Sequence, residues 1–238
     1  AGSGLPRLWV RDLPPKTEVP LSITRPEIYY GKKPSSYIFV GTTVREFDYP
    51  MGDSNVRTTY EGKGGVPMGT LFRRILYAIR FADFKILFSD VFTENSRVKY
   101  HQNIRERLTR VAPFLYFDRD PYLVVSEGRL VWMQDAYTAA DRYPYSQPVS
   151  LGRGQGINYI RNSVKATVDA YDGTMRFFVS DPDDPVLKAW SGVFPDLFRP
   201  LSEMPSGLKA HLRYPQDLFN IQSEIYRVYH MTDANTFY

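Results

Sequence analysis

Residues 158–181 read NYIRNSVKATVDAYDGTMRFFVSD and carry the clearest structural signal in the chain. Apolar and polar residues alternate on both sides of Asp172 and Gly173, a pair typical of two-residue turns that need positive φ. A turn of this length pairs Val168 with Phe177 across the hairpin, on an apolar face that the two strands share. The sequence therefore predicts a long antiparallel hairpin with one face suited to a core.

The rest of the chain predicts further hairpins and several helices. YLVVSEGRLVWMQ (122–134) repeats the hairpin pattern around a Glu-Gly turn, and extended runs flank the turn MGDSN (51–55). Helices are predicted over residues 71–82 and 96–111. Because strands adjoin strands through hairpins and do not alternate regularly with helices, we predict an α+β fold with an antiparallel sheet and packed helices.

The amphipathic segment that begins at residue 71 has two interpretations. Its apolar residues recur at helical spacing and are expected to face the core; they are Leu71, Phe72, Ile75, Leu76, Ile79 and Ala82. The wider stretch 72–92 is aromatic and basic at once, so the alternative is a helix in a membrane interface with its cationic flank toward headgroups. The core helix is the preferred interpretation.

Proline divides the chain into an arm and a domain. Six prolines occur within residues 1–35, at positions 6, 14, 15, 20, 26 and 34, and they block helix formation there. We predict that residues 1–35 form an extended arm and that residues 36–238 form a single α+β domain. Trp9, Val10, Leu13 and Ile28 are expected to hold the arm against that domain.

Composition excludes several classes of site. The formal net charge is +4 and the sequence pI is about 9.1, but acids are interspersed with the bases, so we expect no nucleic-acid partner. A modest positive excess suits anionic lipid headgroups or acidic envelope polymers. The absence of cysteine excludes disulfides and thiolate metal sites, and the three histidines lack metal-ligand spacing. We predict no metal site and no cofactor.

Three loops attract attention because of their glycines or acids. The run SDPDDP (180–185) predicts a helix capped by Asp184 more strongly than a calcium loop. GRGQG (152–156) lacks the context of a dinucleotide fingerprint. EGKGGVPMGT (61–70) leads into a helix, so Lys63 and Arg73 are candidate anion-binding residues, although turn chemistry alone explains the glycines.

Carboxylates and tyrosines supply the remaining candidates. Asp118 with Asp120, or Asp135 with Asp141, could act as the acid and base of a hydrolase, but chance pairs are expected among 26 acids. The segment around Asp135 also contains tyrosines beside prolines and charges, which favours a binding loop or a packed aromatic corner equally. The candidate binding residues there are Asp135, Tyr137, Tyr143 and Tyr145. We nominate no catalytic residue, because neither a GxSxG elbow nor a cysteine is present.

Several long phrases resemble a known family. They are GLPRLWVRDLPP, LSITRPEIYYG, REFDYPMGDSN, NYIRNSVKATVDAYDGT, DPVLKAWSGVFPDLF and LKAHLRYPQDLFNIQSEIYRVYHMTD. They resemble a bacterial family of large multi-pass membrane proteins, uncharacterised protein family one hundred and eighty-two. The resemblance implies N-terminal transmembrane helices, followed by a long soluble region outside the cell membrane. It also implies that this chain is a fragment of that region, because the family sequence continues past residues 236–238.

These observations lead to three functional hypotheses. The first is a non-catalytic extracytoplasmic domain of an integral membrane protein, which binds an envelope component, a peptide or a partner subunit. The alternatives are an envelope-polymer hydrolase that uses a carboxylate pair and a structural cap on the membrane part. The first hypothesis predicts an aromatic-lined groove or a contiguous apolar patch.

Overall fold

The computed structural model describes residues 9–33, 36–150 and 156–229. Contacts divide the chain into two compact units. The first unit contains Ala1–Arg107 together with two hairpin tips, Glu127–Leu130 and Asp169–Thr174. The second unit contains Leu108–Ser126, Val131–Val168 and Met175–Tyr238. Most of the GRGQG loop, together with His230 and the residues after it, lies outside the described residues.

The first unit combines small antiparallel sheets with short helices, and β3, β7 and β6 lie side by side in its three-stranded sheet. Its strands are β1 (Val10–Arg11), β2 (Lys16–Thr17), β3 (Tyr37–Val40), β4 (Glu46–Met51), β5 (Ser54–Thr58), β6 (Val66–Pro67) and β7 (Arg97–Tyr100). Its helices are α1 (Leu71–Phe81) and α2 (Lys85–Phe88), and α3 (Ile104–Val111) begins in this unit.

The second unit is built on a six-stranded sheet in the order β15-β14-β13-β10-β8, with β9 also paired to β10. Its strands are β8 (Tyr116–Phe117), β9 (Tyr122–Ser126), β10 (Arg129–Ala140), β11 (Val149–Ser150), β12 (Gly156–Ile157), β13 (Tyr159–Asp169), β14 (Met175–Val179) and β15 (Phe198–Pro200). Its helices are α4 (Pro185–Val193), α5 (Ser206–Lys209) and α6 (Gln216–Tyr229). The β14–β15 pair is parallel.

The predicted α+β class is confirmed, because the sheets of both units are mainly antiparallel and are accompanied by helices. In the second unit a core cluster forms around Met133 of β10 and Phe178 of β14, against Met204 and Leu208. The predicted division into an arm (1–35) and one domain (36–238) stays a prediction.

The proline-rich segment is held in the first unit by its backbone. The amides of Tyr29 and Tyr30 both donate to the Ala170 carbonyl at 2.9 Å, and the Thr24 amide donates to the Gly128 carbonyl at 2.9 Å. Trp9, Leu13 and Ile28 are exposed. The expectation that these apolar side chains anchor the arm is therefore wrong, and hydrogen bonds to the two hairpin tips take that role.

The helix predicted over residues 96–111 is wrong in its first half. Arg97–Tyr100 forms β7, which pairs with β3 and β6, and the helix α3 starts only at Ile104. Val98 and Tyr100 alternate with Arg97 and Lys99 in RVKY, which suits a strand, and pairing on both sides satisfies its backbone. Tertiary pairing therefore overrides the local helical pattern.

Helix α1 forms where the sequence predicts it but presents the opposite side to the core. Ala78 is buried and Phe81 stacks on Tyr37 with ring centroids 4.1 Å apart. The residues expected to face the core are exposed, and we define five of them as the α1 face: Leu71, Phe72, Ile75, Leu76 and Ile79. The core-facing expectation is wrong for these five residues. The aromatic side chains of β3 and β7 pack instead against Phe81 and the partly buried Tyr77.

The register of the long hairpin also differs from the prediction. Val168 pairs with Met175, and Ala166 pairs with Phe177. The Asp169 amide donates to the Thr174 carbonyl at 3.0 Å, so four residues form the connection where a two-residue turn was predicted. The shift preserves the inward and outward faces, because one strand moves by two residues relative to the other, which is one side-chain period. The Glu127–Gly128 turn does have two residues, and both have positive φ, 52° and 76°.

Gly173 provides a test of the hairpin tip. Its φ is +72°, and a Cβ there would lie 2.5 Å from the Tyr30 ring. Gly173→Ala should lower the free energy of unfolding by at least about 2 kcal/mol, from left-handed backbone strain and overlap. The matched control is Gly192→Ala in α4, where nothing lies within 4 Å of the added Cβ. Urea unfolding should show the control unchanged or stabilised by up to about 1 kcal/mol. Equal effects of the two substitutions would contradict this packing.

Candidate functional site

A buried amine, that of Lys99 on β7, is the centre of the first unit. Its Nζ lies 3.4 Å from the ring centroid of Tyr60 and 3.6 Å from that of Tyr29. Nζ also donates to the Tyr171 carbonyl at 2.9 Å. Aromatic faces attract a desolvated cation. Burial nevertheless lowers the pKa of Lys99 to about 7, while the carboxylate of Asp172 acts to raise it.

The Asp172 carboxylate, next to this amine, is held by four donors of the first unit. Tyr60 Oη donates to Oδ1 at 2.6 Å, and Arg129 donates to Oδ2 at 2.9 Å. The amides of Lys63 and Gly64 donate to Oδ1 at 3.2 and 3.4 Å. Burial acts to raise the pKa of Asp172, but the bonds from Tyr60 and Arg129 outweigh it, so the pKa is lowered. This carboxylate is an anchor for the surrounding loops.

The glycine-rich loop 61–65 therefore binds an anion that belongs to the chain itself. A Cβ at Gly62 would lie 2.1 Å from Asp172 Oδ1, and one at Gly64 would lie 2.1 Å from the Asp172 carbonyl oxygen. Glycine is required here because the hairpin tip approaches the loop so closely. The candidate residue Lys63 is exposed, and its backbone amide donates a hydrogen bond to Asp172 Oδ1.

The other candidate anion-binding residue, Arg73, lies in the first turn of α1. Its amide donates to the Thr70 side chain at 3.4 Å, so Thr70 caps the helix, and its guanidinium donates to the Pro67 carbonyl at 3.3 Å. The Arg73 side chain is exposed. Arg73 is thus available to a partner at the surface, beside the α1 face.

The buried Lys99 predicts a pH dependence of stability. Between a folded pKa of about 7 and the ordinary value of 10.5, the folded state binds fewer protons than the unfolded state. The free energy of unfolding should therefore rise with pH from about 7 to 9, by up to about 1.4 kcal/mol per pH unit. Lys99→Met should flatten this rise, whereas Lys63→Met at an exposed position should keep it. Urea unfolding across this pH range measures the slope, and a slope that survives Lys99→Met would assign it to other groups.

In the second unit, the candidate Tyr137 joins a buried network around Asp118. Tyr137 donates a short hydrogen bond to Asp118 Oδ2, and the Asp217 amide donates to the same oxygen at 2.9 Å. The Asp120 amide donates to Asp118 Oδ1 at 3.0 Å. Burial and the bond to Asp118 raise the pKa of Tyr137. Both Asp118 oxygens are occupied by protein donors, so this carboxylate links β10 to the start of α6.

The candidate Asp135 forms an ion pair with Lys165, whose Nζ donates to Asp135 Oδ1 at 2.5 Å. Both side chains are buried. Burial raises the pKa of Asp135, although Lys165 opposes the shift. Asp135 and Tyr137 are two residues apart on β10 and are both nearly inaccessible to solvent. The geometry favours a structural role for both.

The ion pair can be tested by removing one charge or both. Asp135→Ala leaves the Lys165 ammonium buried without its carboxylate and should cost about 3 to 5 kcal/mol of stability. Asp135→Leu combined with Lys165→Met should cost much less, because no charge is left unpaired. Thermal and urea unfolding compare the two variants. A loss below about 1 kcal/mol for Asp135→Ala would contradict this structural role, and Asp135 would then stay a candidate for contact with a ligand.

The candidates Tyr143 and Tyr145 lie at the surface, unlike Asp135 and Tyr137. Tyr143 stacks on Tyr159 with ring centroids 5.6 Å apart, and Tyr145 is fully exposed with φ +58°. Tyr159 donates to Asp184 at 2.6 Å. These contacts give Tyr143 an ordered base and leave Tyr145 projecting into solvent, where it is accessible to a partner.

Asp184 caps α4 as the sequence predicts, since its Oδ1 accepts from the Val186 amide at 3.0 Å. It also accepts from Ser163 at 2.6 Å and from Thr138 at 2.5 Å. Burial acts to raise the pKa of Asp184, but these bonds outweigh it, and the pKa is lowered. The prediction of a capped helix start is confirmed.

The remaining nominated carboxylates differ in their surroundings. Asp120 pairs with Arg213 at 2.9 Å, and Asp141 is exposed, 3.9 Å from Arg142. In the described part of the chain, no three histidine, aspartate or glutamate side chains lie close enough to hold a metal ion. Within residues 9–33, 36–150 and 156–229, none of the helices combines the length and the hydropathy that a membrane span requires.

The sequence pattern does not reveal the site of Lys99, because it predicts one helix over residues 96–111. The signal was the alternation in RVKY, which is typical of a strand, together with the adjacent tyrosines of PEIYYG. The sequence also gives no sign of the role of Asp172. Its place in a turn is explained by turn preference alone, so nothing indicates a hydrogen bond to a distant loop.

A family model described as Uncharacterised protein family (UPF0182) matches residues 1–238. The chain belongs to this family. A UPF0182 protein of Desulforamulus reducens is 48% identical over 239 residues, covering 100% of this chain and 25% of the relative. A UPF0182 protein of Sulfurovum sp. is 51% identical over 237 residues, covering 99% of this chain and 26% of the relative.

The UPF0182 relatives are therefore much longer than the chain. The UPF0182 protein of Trichodesmium erythraeum is 47% identical and is matched over 27% of its length. The chain spans about a quarter of the relatives that it matches. No solved structure matches it. The family predicted from the sequence phrases is confirmed, and the membrane anchor that the resemblance implies stays a prediction.

Proposed function

We propose that this chain is a non-catalytic, extracytoplasmic domain of an integral membrane protein, and that it binds an envelope component or a partner through exposed apolar and basic surface. The α1 face is the observation that carries the proposal. Five large apolar side chains project from one side of a helix whose other side is packed. Apolar patches of this kind mark interaction surfaces in folded proteins.

The carboxylates support a non-catalytic role. A glycosidase-type pair must reach the scissile bond, with one carboxyl free to exchange a proton. Asp118 and Asp135 are buried and bonded to protein donors, and Asp120 is paired with Arg213. The hydrolase alternative is left with the exposed Asp141, whose nominated partner Asp135 is not accessible.

The size of the relatives supports a place within a larger membrane protein. The chain corresponds to about a quarter of their length, so most of each relative lies outside the matched region. The resemblance to a multi-pass family supplies the expectation of transmembrane helices in that remainder. A domain held beside a bilayer would have lipid and other envelope components within constant reach.

The location is tested by cysteine labelling, since this chain contains no cysteine. Asp53→Cys is placed at the exposed turn of the β4–β5 hairpin. In cells that express the longest polypeptide encoded by the gene, a membrane-impermeant maleimide should label this residue without lysis. The labelled polypeptide should stay with the membranes after an alkaline wash.

Two controls make the labelling decisive. The polypeptide without the added cysteine sets the background, and Ala78→Cys, at a buried position, should react only after denaturation. Labelling of Asp53→Cys only after lysis would place the chain on the inner side and overturn the proposal. Release of the polypeptide by the alkaline wash would overturn the membrane anchor.

A second role, a structural cap on the membrane part, is favoured by the exposed Trp9, Leu13 and Ile28. These side chains lie in the proline-rich segment and have no apolar cover among the described residues that would bury them. A cap would bury them against the rest of the polypeptide. Leu13→Cys in the same labelling experiment should then be shielded while Asp53→Cys reacts.

A further inference from the structure

We propose that the α1 face docks onto the surface of an anionic lipid bilayer, with α1 lying along the interface and its apolar side chains inserted between headgroups. The proposal rests on the proposed function only for the presence of a bilayer beside the chain. The surface itself is defined by the described side chains of α1 and α2.

The shape of the surface favours a bilayer over a peptide partner. The five residues of the α1 face span an arc of about 140° around the helix. Phe72 and Ile79 are 69% and 67% exposed, and Phe88 of α2 is 83% exposed. Such side chains project outward, whereas a peptide or helix partner is usually received in a groove. Two clefts among the described residues, of about 370 and 490 Å³, are lined by residues outside α1 and α2. A bilayer accepts protruding side chains without a groove.

The helix is also ordered before it meets any partner. The Thr70 side chain caps its first turn, and at its end Ala82 adopts the left-handed conformation, with its amide bonded to Ala78 and Ile79 carbonyls. Phe81 stacks on Tyr37 on the packed side. Many interfacial helices lose conformational entropy because they fold only when they bind. Since α1 is already folded, its binding would not carry this cost.

The positive charge of α1 and α2 favours an anionic lipid surface as the occupant of the α1 face. Residues 71–82 and 85–88 contain Arg73, Arg74, Arg80 and Lys85 and no acid. Arg73, Arg80 and Lys85 are exposed, and at helical spacing Arg73 and Arg80 follow directly after the apolar arc. Asp83, between the two helices, is bonded to Tyr37 Oη at 2.8 Å and to the Lys85 amide at 3.1 Å.

The same charges argue against a second copy of the chain. In a symmetric dimer whose two α1 helices run antiparallel, the margins that carry Arg73 and Arg80 would lie on the same side of the interface, and like charges there are unfavourable. Anionic headgroups would instead neutralise Arg73 and Lys85 while the phenyl and aliphatic side chains enter the boundary with the acyl chains.

The experiment uses the purified 238-residue chain with sedimented vesicles. Vesicles of phosphatidylglycerol and phosphatidylcholine in equal parts should bind the chain, and phosphatidylcholine vesicles should bind it more weakly. Phe72→Ser with Ile79→Ser should weaken binding to the mixed vesicles by at least about tenfold, because two large apolar side chains are lost from the interface. Arg73→Gln with Lys85→Gln should weaken it severalfold and reduce its salt dependence.

The matched control is Phe219→Ser with Val193→Ser in the second unit. These residues are 59% and 62% exposed and also lie on helices, but α6 carries the acids Asp217 and Glu224. The control should bind vesicles like the unchanged chain. Circular dichroism of each variant checks that its fold is retained.

A spectroscopic measurement separates insertion from loose adsorption. Leu76→Cys carries an environment-sensitive fluorophore on the α1 face, and its emission should shift to the blue when mixed vesicles are added. The same fluorophore on Asp53→Cys should not shift. A shift at both positions, or at neither, would contradict docking through α1.

Other occupants give different results, each of which would overturn the proposal. Lack of binding to mixed vesicles, combined with a concentration-dependent dimer that Phe72→Ser with Ile79→Ser abolishes, would assign the face to a second copy. If the chain neither binds vesicles nor forms a dimer, the α1 face would be assigned to contact with the rest of the polypeptide. Failure of vesicle binding would not affect the labelling result at Asp53→Cys, and an inner location in that experiment would not affect binding to vesicles.

Discussion

Burial of the Lys99 ammonium is the constraint on which the first unit depends. A cation removed from water must be compensated, and the faces of Tyr29 and Tyr60, the Tyr171 carbonyl and the nearby Asp172 carboxylate do so in part, since burial still lowers the pKa of Lys99 to about 7. These groups come from distant parts of the chain. Compensating one charge therefore fixes the positions of the proline-rich segment, the loop after β5 and the hairpin tip at once.

The buried carboxylates of the second unit are likewise compensated by donors from the protein itself. Asp118 connects β10 to α6, Asp135 neutralises Lys165, and Asp184 joins a helix cap to the hydroxyls of Ser163 and Thr138. Asp118 and Asp184 accept hydrogen bonds on both carboxylate oxygens, and Asp135 accepts one from Lys165 on Oδ1. Asp118 and Asp135, two of the four carboxylates that a catalytic interpretation would select, therefore contribute to the packing of the strands and α6.

The α1 face shows the opposite situation, since apolar surface is left without cover. A helix with one packed side normally exposes polar residues on the other, but α1 exposes Phe72 and Ile79 and buries Ala78. The aromatic stack of Phe81 on Tyr37 determines which side packs. The exposed side is the surface that we propose to dock on a bilayer, and the adjacent arginines would suit an anionic one.

Local signals in the sequence determined the fold class, the hairpins and the cap at Asp184, because turn preferences, alternation and capping act over a few residues. Tertiary structure alone decided the four-residue hairpin tip, the strand at Arg97–Tyr100 and the inward side of α1. Lys99 and the Tyr171 carbonyl it binds are 72 residues apart. No local pattern can specify such a contact, because its free energy depends on burial that exists only after the distant segments have packed.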